Sequence, residues 1–170
     1  MTLALEDRLE LMSLPGRYGN AMDDRDWGAL ALIFTDDAVF DVRPMGVRME
    51  GLAEIVAFMD STEAHPLGHL MTNVVVDQED AKTLVRFRAI FPILNEDGAA
   101  SPSRIAFAFY YDEMAKTAAG WRVRNRLVTR APRDMKPTRA DLRRNLGLTR
   151  LLADERAAPP SRRAVLPARS

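Results

Sequence analysis

The chain contains no cysteine. Disulfides, thiolate nucleophiles and cysteine-held zinc or iron–sulfur centres are excluded together, and a reducing compartment fits. Histidine is almost as scarce, with only His65 and His69. They stand four apart, but Pro66 and Gly68 lie between them and the glutamate of a zinc-protease motif is missing, so a metal face is not expected. Nowhere do about 18 apolar residues run together, so no spanning helix is expected. The opening MTLALEDRLELM carries acids where a signal peptide needs a basic region. Gly-rich phosphate loops and nucleotide fingerprints are absent too. The expectation is a cytoplasmic protein without metal, cofactor or membrane contact.

What is present is a chain of 170 residues, 47% hydrophobic, which suits one domain with a sizeable core. The formal net charge of zero hides an asymmetry. Residues 1–129 carry 13 Lys and Arg against 20 Asp and Glu, whereas residues 130–170 carry 11 against 4. An acidic body therefore precedes a basic tail. No aromatic residue follows Trp121, so the tail lacks the stacking groups of a nucleic-acid binder. We expect a body over 1–130 and an extension over 131–170, with one helix at 139–155 capped by Thr138 and disorder beyond.

Leucines at helical spacing, then Ser13 ahead of Pro15 and Gly16, predict two helical pieces, 3–12 and 14–24, with Ser13 capping the second. Tyr18 and Met22 share a face there at i,i+4, with Asp23 one position round. Asp26 predicts a further helix from Trp27 to Phe34, and Leu52 to Ser61 another. AVFDV, HLMTNVVVD, KTLVRFRAIFPIL, Ile105–Met114 and Trp121–Thr129 read as strands. Helices first and a strand meander afterwards predict the α+β class.

The string RYGNAMDDRDWGALALIFTDDAVFDV, followed by GHLMTNVVVD and FYYDEM…GWRVRNR, resembles the SnoaL-like branch of the nuclear-transport-factor-2-like superfamily over residues 3–130. The resemblance implies a cone-shaped, curved antiparallel sheet wrapped round N-terminal helices, the cystatin-like α+β barrel. The open end of such a cone is an apolar pocket for a small hydrophobic or polycyclic substrate. Met22, Phe40, Phe58, Phe87, Phe91, Phe107 and Trp121 are candidates to line it.

Among the similar families are scytalone dehydratase, bile-acid dehydratase and hexachlorocyclohexane dehydrochlorinase. The resemblance implies that Asp23, at the end of the second helix, orients His69, at the start of a strand, with Tyr18 beside them. Eliminating water or halide needs a base at a carbon–hydrogen bond, and imidazole is neutral enough near pH 7 to act as one. A carboxylate on the opposite ring nitrogen fixes the tautomer. Tyr18 is placed to hydrogen-bond a substrate oxygen. No second histidine stands near Ile90–Pro92, unlike in scytalone dehydratase. Val42 occupies the place of the ketosteroid isomerase base, which disfavours isomerisation. Arginine on the last strand assists in some relatives, but alternation from Trp121 puts Val123 and Asn125 on the pocket face ahead of Arg124 or Arg126.

A cofactor-independent lyase of the dehydratase type is the leading expectation, with polyketide cyclisation inside the same class. The alternatives are a non-catalytic small subunit of a ring-hydroxylating dioxygenase, whose DDRD-type motif the chain shares at Asp23–Asp26, and a small-molecule binding module. A homodimer is expected across the outer face of the sheet, where Arg86, Arg88, Arg122, Arg124 and Arg126 would meet acids of the partner.

Overall fold

An unbroken helix opens the molecule, where the sequence predicted two. The computed structural model describes residues 3–62, 66, 68–79, 81–94, 102–130 and 162–163. Helix α1 (Leu5–Asp23) runs through Pro15. Proline there leaves one backbone carbonyl without its helical donor, a local penalty in a helix interior. Burial of Leu11, Leu14, Tyr18, Ala21 and Met22 along one face opposes that penalty. Ser13 caps nothing: its hydroxyl donates to the Glu10 carbonyl at 2.7 Å, within the same helix.

Asp26 does start the next element, its carboxylate accepting from the Ala29 amide at 3.1 Å. That element is a 3₁₀ turn, Trp27–Leu32, shorter than the predicted helix, and Phe34 instead opens strand β1 (Phe34–Val42). A turn at Arg43–Met45 leads to β2 (Val47–Glu50), and helix α2 (Leu52–Ser61) follows. Four long strands complete the body: β3 (Leu70–Glu79), β4 (Lys82–Leu94), β5 (Pro102–Thr117) and β6 (Gly120–Thr129). The strand order is β3-β4-β5-β6-β1-β2, a curved sheet that does not close. Among these six strands the ladders are antiparallel except that β1 runs parallel to β6. This is the α+β architecture expected from the order of elements.

Helix α1 packs on the concave face of the sheet. Its Leu11, Leu14, Tyr18 and Met22 join Phe40, Val85, Phe87, Ala89, Tyr110 and Val123 in one core. Two acids on its first turns fasten it to the β5–β6 hairpin. Asp7 accepts from Lys116 Nζ at 2.7 Å and from Trp121 Nε1 at 2.9 Å, and Glu10 accepts the Trp121 amide at 2.9 Å. Trp121 is thus part of the core beside this fastening.

The convex face has a smaller cluster in which Leu84 and Tyr111 are buried by Phe109 and Leu127. Leu70, Ile90 and Phe107 lie side by side across β3, β4 and β5 on this face. Phe107 is 60% exposed. It faces away from the core, which corrects its assignment to the pocket wall. Among the described residues no helix is long and apolar enough to cross a membrane. The predicted tail helix at 139–155 lies outside the described residues; Arg162–Arg163 (β7), where disorder was expected, pair parallel to β2.

Candidate active site

The last residue of α1 meets the residue just before β3. One Asp23 oxygen lies 2.6 Å from His69 Nδ1, and the other accepts the His69 backbone amide at 3.0 Å. Both carboxylate oxygens are spent on one residue, so ring and backbone are fixed together. The imidazole is withdrawn from solvent, its side chain 5% exposed, while the Asp23 side chain is 32% exposed. A carboxylate only accepts, so Nδ1 carries the proton of this contact. In the neutral ring Nε2 is then the basic nitrogen.

Tyr18 stands one helical turn before Met22 on the buried face of α1, its ring 6.4 Å from that of His69 and perpendicular to it. Phe91 closes edge-on from β4, at 5.0 Å from the imidazole. Asp23, His69, Tyr18 and Phe91 are therefore neighbours. Phe58 is half-buried at the edge of the core. Met22, Phe40 and Phe87 are each 3% exposed or less, packed in the interior rather than lining an open wall. His65 lies outside the described residues, and among those residues no group of acids and histidines is arranged to hold a metal.

Within the core sits a polar centre that strand alternation misplaces. Arg126 is 1% exposed, and Asp112 takes its Nε and Nη2 at 2.8 and 2.7 Å, a two-pronged ion pair between directly opposed residues of β6 and β5. The guanidinium lies 4.1 Å from the centre of the Tyr18 ring and 4.9 Å from that of Phe34, with Phe40, Phe87 and Tyr110 also within 5.5 Å. Flat, weakly hydrated guanidinium suits such an aromatic cage, where a compact ammonium would not. Nη1 is buried without a hydrogen bond.

Burial raises the Tyr18 hydroxyl above its ordinary pKa, against the pull of Arg126, and raises Tyr110 well above it. Both phenols keep their protons at neutral pH and can donate. Burial also pushes Asp112 up, opposed by Arg126. For Arg126 burial works against the charge, but Asp112 and the two phenols outweigh it and hold the guanidinium above its usual value.

Asn125, expected inside, instead donates to Glu113 at 3.3 Å. The reason is a bulge. Val123 opposes Met114 and Asn125 opposes Glu113, so Arg124 is the extra residue and the inward sequence of β6 runs Trp121, Val123, Arg126, Val128. One inserted residue reverses the alternation beyond it. Asp112 and Tyr110 were missed for a related reason: with Phe107 set inward, the phase of β5 is off by one. The readable signal was the inward set Ala108, Tyr110, Asp112, Met114, which places one acid opposite one arginine.

The comparisons agree with the fold. The SnoaL-like domain model matches residues 3–127, and the chain belongs to that family. An uncharacterised protein of Mycobacterium tuberculosis is 26% identical over 134 residues, covering 74% of this chain and 86% of its own. A candidate aromatic ring hydroxylase from Novosphingobium aromaticivorans is 28% identical with a TM-score of 0.63, over 76% of this chain and 92% of that one. The Kfla4162 protein of Kribbella flavida is 27% identical with a TM-score of 0.61, over 74% and 91%.

Proposed function

We propose that this protein is a cofactor-independent lyase that eliminates water or a similar leaving group from a small hydrophobic or polycyclic carbonyl compound. The contact that carries the reading is the 2.6 Å approach of Asp23 to His69 Nδ1 beside Tyr18 and Phe91. His69 Nε2 takes the proton from carbon next to the carbonyl, and that electron pair becomes the new double bond as the hydroxyl leaves. Imidazolium, stabilised by Asp23, returns the proton to the departing hydroxide, so the products are alkene and water and the base is regenerated. Tyr18 donates to the carbonyl oxygen as negative charge grows on it. Arg126 and Tyr110 lie behind Tyr18 and support that polarisation, while Asp112 keeps the centre neutral.

A panel of β-hydroxy ketones, followed by the absorbance of the conjugated enone, tests this. Wild type should turn over at least one member, and His69→Gln should lower its rate by about 10²–10⁴-fold. Equal rates in the two proteins would reject the mechanism. A second reading, a non-catalytic small subunit of a ring-hydroxylating dioxygenase, draws support from the 28% identity to the candidate ring hydroxylase. Co-purification with a large iron-containing subunit, together with indifference to His69→Gln, would favour it. Under either reading we take the protein to be cytoplasmic and homodimeric, with the body at 1–130 as the functional unit and no membrane or nucleic-acid partner. The apolar row of Leu70, Ile90 and Phe107 on the convex face is the proposed dimer contact.

A further inference from the structure

We infer that Gly19 is a positioning residue for His69, an inference that rests on the reading of Asp23 and His69 as a working pair. Gly19 is buried near the end of the long helix, one turn before Asp23. Its Cα faces the segment that carries the histidine. A Cβ at this position would stand 2.8 Å from the His69 carbonyl oxygen, 3.3 Å from Met71 Cγ and 3.5 Å from His69 Cβ. The first distance is to backbone, which cannot swing aside as a flexible side chain can, so the strand entry itself would have to move.

That movement runs in the harmful direction. Asp23 holds His69 by two bonds, to the backbone amide and to Nδ1, and both need the segment drawn close to the helix. The absent side chain at 19 permits that approach. Glycine in a helix interior carries an intrinsic penalty of about 0.5–1 kcal/mol against alanine, and helix stability alone would favour replacing it. Gly16, three residues earlier on the same helix, supplies the contrast: a Cβ there meets nothing within 4 Å. Both glycines carry the backbone penalty of a helix interior, but only Gly19 is spatially required. A methyl group at 19 pushes the imidazole away from Asp23, loosens the Nδ1 proton and lets the ring populate the other tautomer.

The test is nitrogen-15 NMR of the imidazoles in the full chain, which has only two histidines, with His65→Gln assigning the signals. Wild type should show the Nδ1-protonated tautomer at His69. Gly19→Ala should reduce that tautomer preference at least about tenfold, the factor expected when a hydrogen bond to a charged group is lost. Gly16→Ala should leave the His69 spectrum unchanged. A wild-type spectrum retained in Gly19→Ala overturns the inference, as does an equal disturbance by Gly16→Ala. Should Gly19→Ala fail to fold, the double variant with Met71→Ala, which gives the strand room to move aside, is read by the same signals. If wild type itself lacks the Nδ1 proton and Asp23→Asn changes nothing, the pair is not a working pair and both readings fall. A wild-type signature that persists in Gly19→Ala removes only the role of Gly19.

Discussion

A buried arginine without its acid would be a costly defect in this structure. Asp112 supplies two hydrogen bonds and the countercharge to a guanidinium that no water reaches. Asp112→Ala should therefore destabilise the fold by about 3–5 kcal/mol in urea unfolding, because an uncompensated charge stays in the core. Replacing both members, Arg126→Met with Asp112→Leu, should recover most of that loss, since apolar replacement of a buried pair is often close to neutral. A double variant as unstable as the single one would show that the aromatic cage, rather than the ion pair, depends on arginine. At the end of α1 the stakes differ: Asp23 is partly exposed. Asp23→Asn should leave the fold intact while removing the ionic partner of the imidazole, and circular dichroism with the enone assay separates the two effects.

Two strands change phase through one extra residue each, and each change decides where a polar side chain points. In β6 the extra residue is Arg124, and Arg126 turns inward. In β3 the pairing slips between Thr72 and Val75, with Asn73 in the left-handed region at φ 54°. Met71 on one side and Val74 and Val76 on the other then all reach the core, so the approach to His69 and the far half of the strand share the concave face. Asparagine tolerates that backbone conformation and a β-branched residue does not. Asn73→Gly should be nearly neutral, whereas Asn73→Val should destabilise by about 1–2 kcal/mol and disturb the His69 resonances. Urea midpoints for the pair of variants check the first statement and NMR the second. Equal midpoints would mean the bulge is not held by residue 73.

On the scale of the whole molecule, two buried phenols make stability depend on alkaline pH. Tyr18 and Tyr110 both have folded pKa values raised above 10.0, chiefly by burial. The unfolded chain releases these protons near its ordinary value, while the folded one retains them, so the unfolded state gains as pH rises. Stability should be full below pH 10.0 and fall as pH climbs from there toward the folded values. Urea midpoints between pH 8 and about 11 should decline, and Tyr110→Phe should flatten the decline. The proposed assembly rests on the convex face. Of the arginines expected there, Arg86 is ion-paired with Asp77 at 3.3 Å, Arg122 donates to the Trp121 carbonyl at 2.9 Å, and Arg126 is interior instead. A dimer on this face would therefore rest on the apolar row, and Phe107→Asp should convert a light-scattering mass of twice 19.0 kDa into that of one chain. A wild-type monomer would overturn the assembly proposal.

Much of this was readable from the order of residues. The apolar stripes, the turn signals and the helix bounds at Leu52–Ser61 follow from local periodicity, and they fixed the α+β class and the run of strands. The family followed from several segments matching in order. Local rules failed where long-range burial outweighed them. Pro15 stays inside α1 because the stripe on either side of it is anchored in the core, and Phe34 joins a strand because β6 offers it a parallel partner. Phase was the other casualty: alternation counts residues, and a bulge inserts one, so Arg126 and Asn125 exchanged sides, while Phe107 taken as inward put β5 out of phase and hid Asp112. A carboxylate at position 23, an imidazole at 69 and a glycine at 19 were given by the sequence. That they stand within a few ångströms of one another is a property of α1 lying against β3, because contacts spanning 46 residues are closed by packing and not by any local preference.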